Sequence, residues 1–410
     1  MLKPYRELFT APGAWAFSLA GFVARMPISM ISIGIVLLVS NTTGSYGTAG
    51  AVSATSAFVT ALAGPQIARL VDRLGQAQVA LPALAVFGAS MVIFLSCAET
   101  GAPVWTLYLT AGVAGASMPN IGALVRARWA ALYTGTSRLH TAYSLESTID
   151  EVIFIIGPVL TTVLATQVNR LAGLIAVLAF AVTGTLALMA QRSTQPPHSG
   201  AGRSHGEAAI RGGGVRVLMI VFTALGCLFG AMEITVVGFA TERGERPYAG
   251  LVLAVYALGS CLAGIGYGAV HLRSPLHRRF LVGVACMSVG IVGLPFIGSL
   301  PGLALMFFVA GFAISPTLIS GFALMESLVR PGQLTEGLTW LSTGILLGVT
   351  LGTALAGRLI DEVGASRAFS LPVVSGAVAA VAAYAGARWL RPAGVEEGSR
   401  AHAGVEQLGG

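Results

Sequence analysis

Charge disappears from this chain for long stretches. Met26 to Ala68 contains 43 residues without an Asp, Glu, Lys or Arg, and Phe280 to Met325 contains 46. About 20 apolar residues suffice for a helix to cross a bilayer. Each run therefore predicts two crossings, divided by the turn residues NTTGSYGTAG at 41–50 and GSLPG at 298–302. Cutting the whole chain in this way predicts twelve spans: 13–39, 48–68, 77–98, 103–125, 142–166, 171–191, 215–240, 249–270, 280–298, 302–324, 336–357 and 368–390. The expected fold is all-α, a polytopic membrane protein of 12 transmembrane helices.

The basic residues orient these spans. With the N-terminus inside, 18 of the 24 Lys and Arg fall on the inner side, including Arg126 and Arg128, against five outside and Arg25 within a span. That bias predicts both termini in the cytoplasm of a cell bounded by this membrane. The first residues, MLKPYRELFTAPGAWAFSLAGF, imitate a signal peptide. The apolar run continues to Val39 without a small-x-small cleavage site, so an uncleaved first span is expected.

Residues 192–214, RSTQPPHSGAGRSHGEAAIRGGG, predict a flexible cytoplasmic linker. It separates an N-terminal six-helix bundle, 1–191, from a C-terminal one, 215–391, and 392–410 reads as a disordered tail. Pro119 and Tyr143 are 24 residues apart, as are Pro316 and Trp340, a weak echo of one half in the other. Transporters are built from such repeats, with the site between them near the midplane.

Composition narrows the function. The chain is 55% hydrophobic and 10% charged, where soluble domains carry about 25% charged residues. Topology accounts for the net charge of +7, so no nucleic-acid partner is expected. Cys97, Cys227, Cys261 and Cys286 lie in apolar runs without metal or disulfide spacing, and every His falls in a loop or at a helix end. Lys3 is the only lysine, which excludes a Walker ATPase site. No cofactor, metal or ATPase subunit is implied. The expected partners are a small-molecule substrate and the lipid bilayer, and the expected state is a monomer.

Arg25 stands about 18 Å into the first span, near mid-bilayer. A charge there must be paired or hydrated. Ser18, Gly21, Ser29 and Ser32 share its face, and Pro27 adds a possible kink. It either lines an internal cavity, or forms a structural ion pair or snorkels. In span five, Glu146 and Asp150 share a face, and Glu151 points about 100° away. The expectation is that Arg25 pairs with Asp150 or Glu151 and that the pair exchanges partners when a proton or substrate arrives. Glu146 reads instead as an interfacial acid at a helix start. Glu233, alone in span seven, is either an outer-gate acid or a rim charge; Glu326 and Glu336 read as interface charges.

The stretch ARLVDRLG at 68–75, between spans two and three, resembles the loop signature of the major facilitator superfamily, roughly G-x-L-x-D-R-x-G-R. Leu70, Asp72, Arg73 and Gly75 match, Ala68 stands for the first Gly, and Gln76 replaces the last basic residue. The resemblance covers about residues 5–391 and implies a cytoplasmic gate. Asp72 would accept N–H bonds at a helix start, Gly75 would end a helix, and Asp72 with Arg73 would stabilise one gate state. The corresponding second-half loop, GIGYGAVHLRSPLHRR at 264–279, has no acid. A lookalike, GRLIDEVG at 357–364, falls on the outer side. Gly157 and Pro158 resemble the core of the family's antiporter motif, although Ile153, Thr161 and Thr162 replace expected glycines. Span four, ending at 125, lacks the mid-helix Arg of the family's drug–proton antiporters. The expected protein is a secondary transporter working by alternating access, with proton-coupled export of small organic compounds preferred. Uptake symport and a non-transporting receptor or scaffold are the alternatives; an enzyme is not expected.

Overall fold

The computed structural model describes residues 3–197, 208–245, 248–270 and 274–391. These are predominantly helical, without a strand among them. In chain order the helices are α1 (Lys3–Leu8), α2 (Ala14–Thr43), α3 (Tyr46–Leu74), α4 (Gln76–Thr100), α5 (Val104–Ser117), α6 (Ile121–Tyr133), α7 (Ser137–Val163) and α8 (Ala172–Ala190). After the linker come α9 (Gly213–Glu242), α10 (Ala249–Ala269), α11 (Leu276–Gly290), α12 (Leu300–Gly311), α13 (Ile314–Leu328), α14 (Leu334–Val363), α15 (Ala365–Ala368) and α16 (Ser370–Ala385).

Among the described residues, 11 helices are long and apolar enough to cross a membrane. The expected fourth span differs. It consists of α5 and α6, 14 and 13 residues long, separated at Met118, Pro119 and Asn120. Proline lacks the N–H that would continue the ladder. The Asn120 side chain then accepts from the Ala123 N–H and starts α6 afresh. The helix continues to Tyr133, so Arg126 and Arg128, expected as loop charges, are buried within it. α12 and α13 break at a comparable place, just before Pro316.

Helix ends also run further than expected. ARLVDRL is the last two turns of α3, and the loop shrinks to Gly75, whose φ of 98° is open to glycine and rarely to other residues. GRLIDEV likewise ends α14, before Gly364 at φ 82°. Both ends of the stretch expected as a linker, 192–214, hold local structure. Short 3₁₀ turns at Arg192–Thr194 and Ala209–Arg211 bury Thr194 and Ala209. Its middle, 198–207, and the expected tail, 392–410, lie outside the described residues.

The second half is held by a seam of glycines between α9 and α14. A Cβ on Gly226 or Gly230 would lie 2.3 Å from the carbonyl oxygen of Ile345 or Val349. One on Gly348 or Gly352 would lie 2.0 or 2.1 Å from that of Thr223 or Cys227. The four-residue spacing puts these glycines on one face, so the two backbones touch. The halves meet each other along α3 with α14 and α7 with α10.

Candidate functional site

At the middle of α7 the acids meet two arginines. Arg25 Nη1 donates to Asp150 Oδ1 at 2.8 Å, one of the two pairings expected. Its Nη2 donates to Glu146 Oε2 at 2.5 Å, and its Nε to the Gly21 carbonyl at 3.1 Å. Arg126 Nη2 takes the other Asp150 oxygen at 2.6 Å. Glu146 is thus no interfacial acid: it is 0% exposed, and its second oxygen accepts from Trp129 Nε1 at 2.7 Å. Trp129 packs edge-on to Phe17 with centroids 4.6 Å apart, a rigid wall behind the acids. At low dielectric, such charges are stable only when paired and hydrogen-bonded together.

Glu151 leaves this cluster, as its 100° offset requires. Among the described residues it has no ion pair; it accepts a hydrogen bond from Ser260 on α10, which itself bonds Ser315 on α13 at 2.8 Å. The Arg126 guanidinium lies 4.1 Å from the ring centroid of Phe322, also on α13. The cluster therefore belongs to the first half but faces the second through Arg126 and Glu151. Asp150, 32% exposed, is its open point.

At the end of the bundle where α3 stops and α14 starts, the halves are bolted together. Asp72 accepts from the backbone N–H of Thr335 and Glu336, at 3.2 and 2.9 Å, at the start of α14. A carboxylate there satisfies two orphan donors and meets the positive end of the helix. Arg69, and not Arg73, provides the cation: its Nη2 lies 3.2 Å from Glu336 Oε1, while Arg73 is exposed with no ion pair among the described residues. Glu336, expected as a simple interface charge, is the hub, also accepting from the Ala209 N–H and Trp340 Nε1. On the other flank Ser144 donates to the Gly264 carbonyl at 2.5 Å, Thr141 to that of Gly268 at 2.9 Å and Tyr5 to that of Ile265 at 2.9 Å. The acid-free second-half stretch thus contributes backbone carbonyls instead of a side chain.

Gln76, the departure from the signature, also acquires a reason. Its Oε1 accepts from Arg128 Nε at 2.8 Å, and its Nε2 donates to the Leu124 carbonyl at 3.0 Å. Arg128 is 0% exposed, so a basic residue at 76 would face a buried cation. Arg128 also reaches Thr194 at 2.7 Å, tying the start of the linker to the first half.

The remaining expected residues are scattered. A Cβ on Gly157 would fall 1.9 Å from Ser29 Oγ, so this glycine lets α7 approach α2; Pro158 sits inside α7. Leu70 is 45% exposed on α3. Glu233 is exposed on α9, without an ion pair among the described residues. Sequence reasoning missed Arg126, Trp129, Ser260 and Glu336. Arg126 and Trp129 were three residues apart just beyond the assumed end of span four, a spacing that puts them on one face.

Comparison with known proteins adds a frame. Among solved structures the chain is similar to the human organic anion transporter MFSD10 (TETRAN), with TM-score 0.71 and 14% identity over 93% of this chain and 100% of that one. It is similar to the E. coli fucose:proton symporter FucP, with TM-score 0.68 and 14% identity over 90% of this chain and 98% of that one. A bacterial homologue of the iron transporter ferroportin in an outward-facing state gives TM-score 0.65 and 13% identity, covering 91% and 98%. At such identities the likeness is one of fold. No curated protein sequence matches the chain. The family model described as Major Facilitator Superfamily matches residues 17–305. The chain belongs to the major facilitator superfamily and is a multi-pass membrane protein of the transporter type.

Proposed function

We propose that this protein is a secondary active transporter of small organic compounds that works by alternating access and is driven by protons. It would sit in the cytoplasmic membrane as a monomer, with both termini inside. The observation that carries this reading is the cluster of Arg25, Arg126, Glu146, Asp150 and Glu151 at mid-helix depth, turned towards the other half. Charges so deep in a bilayer protein mark ion and substrate pathways. Asp150 and Glu151 are adjacent acids, one clasped by cations and the other held by a hydroxyl of the opposite half. Moving the halves changes the partners of one member and not those of the other.

The inter-half hydrogen bonds of the described residues extend from the Asp72 end no further than Glu151 and Ser260. That pattern supports a conformer closed on the cytoplasmic side. Export in exchange for protons is the polarity the sequence favours. The clasp of Asp150 by two arginines favours the other polarity, in which substrate and proton travel together.

The test is flux through the purified protein in liposomes, across a broad panel of organic compounds, with pH gradients imposed in both directions. Gradient-driven flux is expected in the native protein. Glu151→Gln is expected to abolish gradient-driven accumulation while retaining exchange of substrate for substrate. No flux for any compound would overturn the transport reading. Wild-type coupling in Glu151→Gln, Asp150→Asn and Arg25→Ala together would overturn the assignment of the cluster.

A further inference from the structure

The two acids of α7 that hold arginines are not equivalent. Glu146 is fully used, 0% exposed and committed to Arg25 and Trp129. Asp150, one turn further on, is 32% exposed, whereas each guanidinium it holds is 4% exposed. Its two oxygens are taken separately, Oδ1 by Arg25 and Oδ2 by Arg126. In addition, Arg126 Nε is buried and has no hydrogen-bond partner among the described residues. Two guanidiniums from different helices, with a donor to spare, thus enclose one carboxylate at the open face of the cluster. Paired guanidinium forks are the donor set that recognises carboxylates in the interior of proteins. Here the carboxylate in place belongs to the chain itself.

Charge balance says what an outside carboxylate would need. Arg25 and Arg126 face three acids of α7, Glu146, Asp150 and Glu151, so a further anion adds another negative charge to a buried site already rich in carboxyl groups. A proton on Asp150 offsets the added charge and releases the two guanidiniums from it. Asp150 is faced by Arg25 from α2, by Arg126 from α6, and by Glu146 and Glu151 from its own helix. Around it, α10 places Tyr256 and Cys261 near Glu151, α13 places Glu326 near Tyr143, α1 places Tyr5 on Ser144, and α8 carries no titratable residue. Beyond Arg25 and Arg126, these facing groups include no cation to neutralise an added anion.

We propose that the site takes the carboxylate of a small organic anion on Arg25 and Arg126, in place of Asp150, together with one proton held by Asp150. The inference rests on the cluster being the transport site, and it selects carboxylates as substrates and co-transport over exchange. The proton enters from solvent at the open face and neutralises a carboxylate; no other bond changes.

The test is equilibrium binding to the full-length protein in detergent, using a panel of aliphatic and aromatic monocarboxylates, each paired with its primary amide, at acidic and alkaline pH. At least one acid is expected to bind while its amide does not, with an affinity rising up to about tenfold per pH unit from alkaline to acidic pH, as uptake of one proton with the ligand requires. Asp150→Asn removes the internal competitor, so carboxylates should bind about tenfold or more tightly at neutral pH, with a flattened pH dependence. Asp150→Ser provides a second variant with the same expectation. Arg126→Gln should lose binding, and Arg126→Lys should recover only part of it. The proposal is overturned if no carboxylate outbinds its amide in either Asp150 variant, or if binding releases protons. Proton-driven flux of neutral solutes without carboxylate preference would sink this inference and leave the transport reading standing. Carboxylate binding without flux would do the reverse.

Discussion

Removing the Asp72 side chain should open its end of the transporter by an amount that can be worked out. Asp72 accepts two backbone N–H bonds at the start of the 30-residue α14. Replacing a capping side chain with Ala costs about 0.5–2 kcal/mol. Losing the negative charge at the helix start costs about 0.3–1 kcal/mol more. Asp72→Ala should therefore weaken the closed state by about 1–3 kcal/mol, raising the open fraction about 5- to 150-fold. Asn caps a helix nearly as well as Asp, so Asp72→Asn loses mainly the charge and should raise it only about 2- to 5-fold.

The readout is alkylation of a single cysteine at Ser144, in a protein whose four native cysteines have been replaced. Ser144 is 0% exposed against Gly264, so it reacts only when the halves part at this end. When opening is fast relative to labelling, the rate follows the open population. The reasoning is refuted if Asp72→Ala labels no faster than the protein with Asp72 intact, or if Asn and Ala variants open equally.

Other expected outcomes concern the cluster and its supports. Glu146→Gln leaves a buried guanidinium short of charge and should cost about 3–5 kcal/mol, seen as a large drop in the detergent melting temperature. Asp150→Asn, at the exposed point, should lower it far less. Gly157→Ala drives a methyl into Ser29 and should cost about 1–3 kcal/mol, with the loss smaller in a Ser29→Gly background when the melting temperatures are combined as a double-mutant cycle. Gln76→Arg should cripple folded yield by placing a cation against Arg128, and pairing it with Arg128→Gln should restore it.

What could be read in the sequence was whatever a bilayer makes local. A charge at Arg25 inside an apolar run must have a partner at equal depth, and helical rise narrowed the choice to Asp150 or Glu151. Helix phase also separated Glu151 from Asp150, although not the hydroxyl it would find on the opposite half. The failures came where a one-dimensional rule met a three-dimensional exception. Arginines usually mark a cytoplasmic loop, so Arg126 and Arg128 were expected there. Pro119 instead restarts the helix, and partners 24 and 52 positions away in the chain accommodate both within it. Glu336 was underestimated for a similar reason: its surroundings come from Arg69, Ala209 and Trp340, of which only Trp340 is near in sequence.

The glycine seam between α9 and α14 has a mechanical consequence. Backbones in direct contact along several turns cannot slide or tilt separately without breaking that contact, so the two helices form one stiff beam. A helix of 30 residues is about 45 Å long, and α14 carries the Asp72-held start at one end and the Gly364 stop at the other. There the Ala365 N–H donates to Glu242, the last residue of α9, at 2.6 Å. Asp72 thus pins the tip of a lever whose far end is riveted to its companion. Releasing one carboxylate on one side of the membrane frees an arm that reaches the other.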